Sequence, residues 1–152
     1  MRNVSMIYHE TEHRIPPYLW NLSDTQFYKD KGSVFSCFAC GGGSTMGYKL
    51  AGFDVIGCNE IDKKLVDIYV SNHNPKYVFD CDIRDMLKYE ALPRELFNLD
   101  ILDGSPSCTS FSMAGNREKD WGKSKKFREG QKNQTLDDLS FIFVSLAKKL
   151  QP

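Results

Sequence analysis

The sequence predicts an α/β fold built on a parallel β-sheet, and two observations support this prediction. Short apolar runs that stop at glycine or acidic residues recur along the chain from Ser33 onward. Segments in which apolar residues follow a helical spacing separate these runs. Strands that alternate with helices form parallel sheets with right-handed crossovers. We therefore expect ligands to bind beyond the carboxyl ends of the strands.

Length and composition define the class of protein. The chain has 152 residues, of which 41% are hydrophobic and 26% charged, as is typical of one globular domain. Twenty basic and twenty acidic residues cancel, so a nucleic-acid site would have to be a local basic patch. The sequence has neither an apolar run of membrane length nor an apolar N-terminal signal, which predicts a cytoplasmic protein without a membrane partner.

The chain divides into two predicted regions. Residues 1–32 show little periodicity and are interpreted as an N-terminal extension, whereas residues 33–152 form the folded domain. The predicted strands are 34–39, 53–58, 77–79 and 99–102. The predicted helices are 44–51, 62–71, a weak one that follows residues 80–85, and 136–150.

Capping residues set the expected helix boundaries. Ser44 or Thr45 is expected to cap the first helix, and Gly52 to end it. Asp62 is expected to cap the second helix, which ends at Asn74-Pro75. Apolar residues three and four apart form one face of the last helix: Leu136, Leu139, Phe143, Leu146, Ala147 and Leu150. Residues 113–134 are polar and charged and are predicted to form a long loop.

The glycine run 41–43 joins the first predicted strand to the first helix. Glycines allow a sharp turn and a close approach of a ligand to the backbone. Glu60 ends the second strand seventeen positions after Gly43, where a carboxylate commonly binds ribose hydroxyls. Asp82 follows the third strand and can receive an adenine amino group. Met46 stands where the dinucleotide fingerprint has its third glycine, so a tight structural turn is the alternative interpretation.

Cys108 lies in the segment that follows the fourth predicted strand. A thiolate is a strong nucleophile, and neighbouring amides or cations lower the pKa of a thiol. Position alone also fits an inert loop cysteine.

Four sequence elements, in order, resemble the cytosine-5 DNA methyltransferases of bacteria, phages and eukaryotes. The first is Ser36-Cys37-Phe38-Ala39-Cys40-Gly41-Gly42-Gly43, the second Glu60-Ile61-Asp62, and the third Asp82-Ile83. The fourth is Gly104-Ser105-Pro106-Ser107-Cys108-Thr109-Ser110-Phe111-Ser112. The leucine-rich segment from Leu139 to Pro152 also resembles the family, and the resemblance covers residues 33–152.

The resemblance implies a fold, a cofactor and a reaction. It implies the Rossmann-like parallel sheet of class I S-adenosylmethionine-dependent methyltransferases, truncated after about four strands. Cys108 would be the nucleophile that attacks C6 of a flipped-out cytosine before its C5 is methylated. The residues that would bind S-adenosylmethionine are Phe38, Ala39, Gly42, Gly43, Glu60, Ile61, Asp82, Ile83, Pro106 and, as an addition, Leu139.

The resemblance also implies double-stranded DNA as the partner. The segment after Cys108 holds seven basic residues against three acidic ones, which predicts phosphate contacts with salt-sensitive affinity. A solvated loop is the alternative. The predicted DNA-binding residues are Ser110, Ser112, Arg117, Lys123, Lys125, Lys126 and Arg128.

The chain departs from the family pattern in ways that affect its expected activity. Cys40 replaces a glycine, and Ser107 replaces the proline before the nucleophile. The family's Glu-Asn-Val and Arg-x-Arg elements and its target-recognition region are not in the sequence, so we expect cofactor binding but little methylation by this chain alone. Residues 99–102 would form an open sheet edge that pairs with a companion chain or a second copy. A split enzyme and a non-catalytic nucleoside- or DNA-binding module are the alternatives.

The other cysteines raise a third functional hypothesis. Cys37 and Cys40 have the spacing of a redox or zinc pair, and Cys58 and Cys81 could complete a four-thiolate site. A thiol oxidoreductase would use the first pair. Because Cys37 and Cys58 lie in apolar runs, the preferred interpretation is reduced, buried thiols without a metal.

Overall fold

The computed structural model describes residues 25–107 and 138–152. Its strands are β1 (Ser33–Cys37), β2 (Asp54–Asn59), β3 (Tyr77–Phe79) and β4 (Ile101–Gly104). Its helices are α1 (Gly43–Leu50), α2 (Lys63–His73), α3 (Ile83–Lys88) and α4 (Leu139–Leu150), with a 3₁₀ turn at Arg94–Phe97. The alternation of strands and helices agrees with the predicted α/β class.

The four strands form one parallel sheet in the order β3-β2-β1-β4. The last residues of neighbouring strands are paired: Cys37 with Asn59 and with Gly104, and Asn59 with Phe79. The carboxyl ends of all four strands therefore lie in one line, and the segments that follow them share one edge of the sheet. Among the described residues β4 is an edge strand, and its predicted pairing with another chain stays a prediction.

The hydrophobic core packs one face of the sheet against α3 and α4. Phe35 of β1 and Met86 of α3 have no exposed surface. Helix α4 contributes Leu139, Leu146 and Leu150, all less than 4% exposed, so this part of its predicted apolar face is confirmed. Burying a leucine side chain stabilises the fold by about 2 kcal/mol, so this face is a main source of stability.

The predicted boundaries of α2 are supported by its caps. The Asp62 side chain accepts a hydrogen bond from the Lys64 amide at 3.0 Å, as expected of an N-cap. The helix continues to His73, two residues beyond its predicted end, and Asn74 then adopts a left-handed conformation with φ 44°. Asn74 tolerates that conformation better than most residues, and Pro75 cannot continue a helix.

The predicted cap of α1 is wrong. Gly42 is the N-cap residue and makes no side-chain hydrogen bond, because it has no side chain. The Ser44 hydroxyl instead donates to the Asp103 carboxylate at 2.9 Å, and the Thr45 hydroxyl bonds the Tyr69 hydroxyl at 2.8 Å. Both hydroxyls join α1 to distant elements, a use that the local sequence does not reveal.

The predicted fourth strand is displaced by two residues. Ile101 pairs with Val34, so β4 extends to Gly104, although Asp103 and Gly104 were expected to stop it. Leu99 lies in the core at 6% exposure and does not form part of the sheet edge. The Asp100 side chain accepts a hydrogen bond from the Ser33 amide at 2.7 Å, which fixes where the pairing with β1 begins.

The predicted N-terminal extension and charged loop fall mostly outside the described ranges. Residues 25–31 contain neither helix nor strand, and the Lys31 amide donates to the Gly52 carbonyl at 3.1 Å. Residues 1–24 and 108–137 lie outside the described part of the chain. No helix within residues 25–107 and 138–152 has the length and apolar character needed to cross a bilayer.

Candidate functional site

The segment after β1, called here the glycine turn (residues 38–43), bends sharply at the carboxyl edge of the sheet. Phe38, Cys40 and Gly42 have φ values of 53°, 48° and 91°. A left-handed conformation is unfavourable for the first two, which have side chains, so surrounding contacts must hold it. One such contact joins the Cys40 amide to a Glu60 carboxylate oxygen at 2.9 Å.

Glu60 follows β2 directly and is only 7% exposed. One of its oxygens accepts the Cys40 amide, and the other accepts the amides of Ile61 and Asp62, each at 2.9 Å. Three amide donors offset the cost of burying a carboxylate. The oxygen bonded to Cys40 retains a free lone pair, since a carboxylate oxygen can accept two hydrogen bonds.

Asp82 occupies the equivalent position after β3 but is held differently. Its side chain caps α3 by accepting the Arg84 amide at 2.9 Å. The Arg84 guanidinium also forms a 2.9 Å ion pair with Asp82 and contacts Asp138, the residue before α4. Asp82 is therefore connected through one arginine to the start of α4.

A small pocket lies between these strand ends. Six of the ten residues predicted to bind the cofactor line it: Phe38, Glu60, Ile61, Asp82, Ile83 and Leu139. Asn59 and Cys81 complete its lining. Its walls are thus mainly apolar, with two carboxylates and one amide among them, a composition typical of small-molecule sites.

The other four predicted cofactor residues lie near the same edge but do not line the pocket. Ala39 is buried against Cys58 and Tyr69. Gly42 faces His73, and Gly43 is exposed, with open space where a Cβ would stand. Pro106 is half-buried two residues beyond β4.

Asn59 and Cys81 were not predicted to line the pocket. The Asn59 amide nitrogen donates to the Phe79 carbonyl at 3.1 Å and to the Cys81 carbonyl at 2.8 Å. These bonds fix the backbone immediately before Asp82. The signal in the sequence was the position of Asn59 beside Glu60 at a strand end. Cys81 is half-buried, and burial is the main cause that raises the pKa of its thiol.

Asp103 was also missed, because it was interpreted only as the residue at which the fourth strand stops. Its carboxylate accepts the hydroxyls of Ser36 at 3.0 Å and Ser44 at 2.9 Å. The Tyr48 hydroxyl lies 3.4 Å from it. Through these hydrogen bonds, Asp103 connects β4 to β1 and to α1.

The thiols within the described ranges are reduced. Burial raises the pKa of the Cys37 thiol far above its ordinary range, and burial together with Glu60 raises the pKa of Cys58 to about 12. Neither thiol therefore ionises at neutral pH, which argues against a redox pair of Cys37 and Cys40. Within residues 25–107 and 138–152, no three potential ligands are grouped as a metal site.

The predicted nucleophile and DNA contacts lie outside the described residues. They are Cys108, Ser110, Ser112, Arg117, Lys123, Lys125, Lys126 and Arg128. Ser107, the residue before Cys108, is half-buried and lies three residues after the end of β4.

Comparison with known proteins supports the resemblance seen in the sequence. The family described as C-5 cytosine-specific DNA methylase matches residues 32–152. The Type II methyltransferase M.FnuDI of Fusobacterium nucleatum is 39% identical over 83 residues, 55% of this chain and 22% of the relative. The Type II methyltransferase M.Bsp6I of Bacillus sp. (strain RFL6) is 35% identical over 121 residues, 78% of this chain and 33% of the relative.

The fold is similar to that of a solved structure described as a DNA modification methyltransferase encoded within an E. coli prophage. The TM-score is 0.51 with 22% sequence identity, over 79% of this chain and 29% of that chain. This similarity supports the fold. The chain spans a third or less of the length of each of these relatives.

Proposed function

Because the chain belongs to the C-5 cytosine-specific DNA methylase family, we propose that it binds S-adenosylmethionine and supplies the nucleophile of a DNA (cytosine-5-)-methyltransferase. The observation that carries this proposal is the pocket at the carboxyl edge of the sheet. Two carboxylates from successive strand ends, Glu60 and Asp82, line it together with apolar side chains.

The pocket fits the chemistry of S-adenosylmethionine. Phe38, Ile61 and Ile83 provide apolar walls for an adenine ring. Glu60 is buried and fixed by backbone amides, so it can accept ribose hydroxyls without reorganising. Asp82 is the acceptor for the adenine amino group, and Leu139 of α4 closes the same pocket. The glycine turn brings the backbone close to the remainder of the cofactor.

The proposed reaction uses the thiolate of Cys108 as a nucleophile. The thiolate adds to C6 of cytosine, and the electron pair released at C5 forms a bond to the transferred methyl group. When bound, S-adenosylmethionine would supply this methyl group from its sulfonium, and the electron pair of the broken carbon–sulfur bond would stay on sulfur as a neutral thioether. Transfer of the C5 proton to a base then expels the thiolate and restores the aromatic ring. Cys108 is thereby regenerated as a thiolate.

Double-stranded DNA is the proposed partner, contacted by the basic residues between Cys108 and residue 132. Such contacts make affinity fall steeply with salt. Extruding the target base costs a few kcal/mol, which contacts with DNA must offset. We propose that this chain alone binds the cofactor but methylates DNA weakly, and that the edge of β4 pairs with a companion chain or a second copy.

The proposal is tested by trapping the adduct with Cys108. DNA that contains a mechanism-trapping cytosine analogue is incubated with the chain, S-adenosylmethionine and the remaining part of a relative supplied separately. We expect a covalent complex that Cys108→Ser abolishes and Cys40→Ser preserves. A complex that forms equally with Cys108→Ser would contradict the nucleophile. Rapid turnover by the isolated chain would contradict its proposed dependence on further contacts.

A further inference from the structure

His73, the last residue of α2, packs beneath the glycine turn. The side chain is 7% exposed, and its ring lies 4.8 Å from the Tyr69 ring between centroids. A Cβ placed on Gly42 would lie 2.1 Å from His73 Nε2. The imidazole therefore fills the space that any side chain at position 42 would need.

The same ring lies against the backbone of the turn at Gly42. Burial and the nearby Lys49 lower the pKa of His73 below its ordinary value, whereas hydrogen bonds to the backbone of Gly41 and Gly42 oppose this shift. Nε2 is the ring nitrogen beside Gly42, and the buried Nδ1 has no hydrogen-bond partner among the described residues. A neutral imidazole fits this environment.

Helix α2 is attached to α1 on both sides of the ring. The Tyr69 hydroxyl bonds the Thr45 hydroxyl at 2.8 Å. The Lys49 ammonium donates to the His73 carbonyl at 2.9 Å. The ring is therefore held in place from its own helix and from α1, and the glycine turn rests on a fixed support.

We propose that His73 is a positioning residue for the cofactor, because its imidazole packs against Gly42 and so supports the glycine turn beside the proposed binding site. This inference rests on the proposed binding of S-adenosylmethionine at that turn. The turn contains three residues with positive φ, so it needs external contacts to persist. The His73 ring contacts the turn at Gly42, and the Glu60 carboxylate contacts it at the Cys40 amide.

The proposal includes a dependence of cofactor affinity on pH. Protonation would place an N–H on the buried Nδ1, where no described acceptor meets it, and a positive charge near Lys49. Tyr69 is the other titratable side chain against the ring. Because the pKa of His73 is lowered, the ring stays neutral above about pH 6.5, and protonation weakens the turn as pH falls below that value.

Two conservative substitutions separate positioning from mere packing. The amide nitrogen of Gln can reach the position of Nε2, whereas that of Asn reaches only the position of Nδ1. We expect His73→Gln to retain affinity for S-adenosylmethionine and His73→Asn to weaken it about tenfold at pH 7.5, in calorimetric titrations of the full chain. Asn72→Ala, an exposed change on the same helical turn, should leave affinity unchanged.

The pH profile supplies a second, independent readout. We expect the affinity of the wild-type chain to fall as the pH is lowered below about 6.5, and that of His73→Gln to fall less, because the variant lacks the imidazole. If His73→Asn does not fold, the pH profiles of the wild-type chain and His73→Gln still test the role of His73. Equal profiles, or equal affinities of the two variants, would overturn the role of His73. Wild-type binding that Glu60→Gln abolishes would then leave the proposed function intact, whereas no saturable wild-type binding would overturn both.

Discussion

The carboxyl and amino edges of the sheet use their polar groups in opposite ways. At the carboxyl edge, Glu60 is buried and receives three backbone amides. At the amino edge, exposed side chains pair with one another: Lys76 lies 2.5 Å from Glu95, and Lys29 lies 2.7 Å from Asp54. The amino-edge cleft, lined in part by Asp54, Lys76 and Glu95, has a volume of about 460 Å³, against about 20 Å³ for the carboxyl-edge pocket.

The volume of a pocket therefore does not identify the site. The larger cleft is a solvated surface on which Asp54, Lys76 and Glu95 already have partners, and exposed ion pairs contribute little free energy. The smaller pocket presents fixed acceptors beside apolar walls, which is what a nucleoside requires.

Removing the Glu60 carboxylate is expected to have the largest effect. Glu60→Ala leaves the amides of Cys40, Ile61 and Asp62 without their acceptor, and should lower the free energy of unfolding by about 3 kcal/mol. Cofactor binding should also be lost. Chemical denaturation and calorimetric titration measure both. Glu95→Ala, at the amino edge, is the matched control and should change neither the free energy of unfolding nor cofactor binding. Equal losses of stability and binding in both variants would contradict the proposed difference between the two edges.

The glycine turn offers a matched pair of substitutions. Gly42→Ala forces a Cβ against the His73 ring at a residue with φ 91° and should destabilise the fold by about 2 kcal/mol. Gly43→Ala meets open space at the first residue of α1 and should cause no loss. Thermal unfolding compares the two. A loss at Gly43 as large as that at Gly42 would contradict the close contact with His73.

The link from Asp82 to α4 through Arg84 is expected to be weaker. Arg84→Met removes the ion pairs with Asp82 and Asp138 and should cost about 1 kcal/mol, with a smaller loss at high salt. Lys63→Met removes only exposed partners and serves as the control. Unfolding curves at low and high salt measure both. A salt-independent loss would indicate that Arg84 acts by packing alone.

The smallest expected effect is a difference in the rates at which the cysteine thiols are labelled. We expect Cys40, which is exposed, to react first with a maleimide, and Cys37 and Cys58 to react only on unfolding, because burial raises their pKa. S-adenosylmethionine should slow the labelling of Cys81, which lines the pocket. Peptide mass spectrometry follows each site. If the cofactor protected Cys58 but not Cys81, the cofactor would not bind in the pocket that Cys81 lines.

Much of the fold could be predicted because local signals coincide with it. Asp62 caps α2, Asn74 ends it, and the apolar spacing of α4 matches its buried face. Glu60 and Asp82 were predicted from their positions after strands, since the ends of parallel strands meet at one edge.

The incorrect or missing predictions concern residues whose structure depends on contacts with residues far away in the sequence. Ser44 bonds Asp103, 59 positions away, and so does not cap α1. The register of β4 depends on Asp100 bonding Ser33, which no local pattern reveals. His73 was missed because its neighbour in space, Gly42, is 31 positions away in the sequence.

The most direct test is a titration of the isotope-labelled chain with S-adenosylmethionine, followed by amide NMR signals. We predict saturable shifts at the carboxyl edge, in Phe38, Ile61 and Ile83, and none at the amino edge, in Asp54 and Lys76. Shifts confined to the amino edge, or no saturable shifts at millimolar cofactor, would contradict the assignment of the pocket.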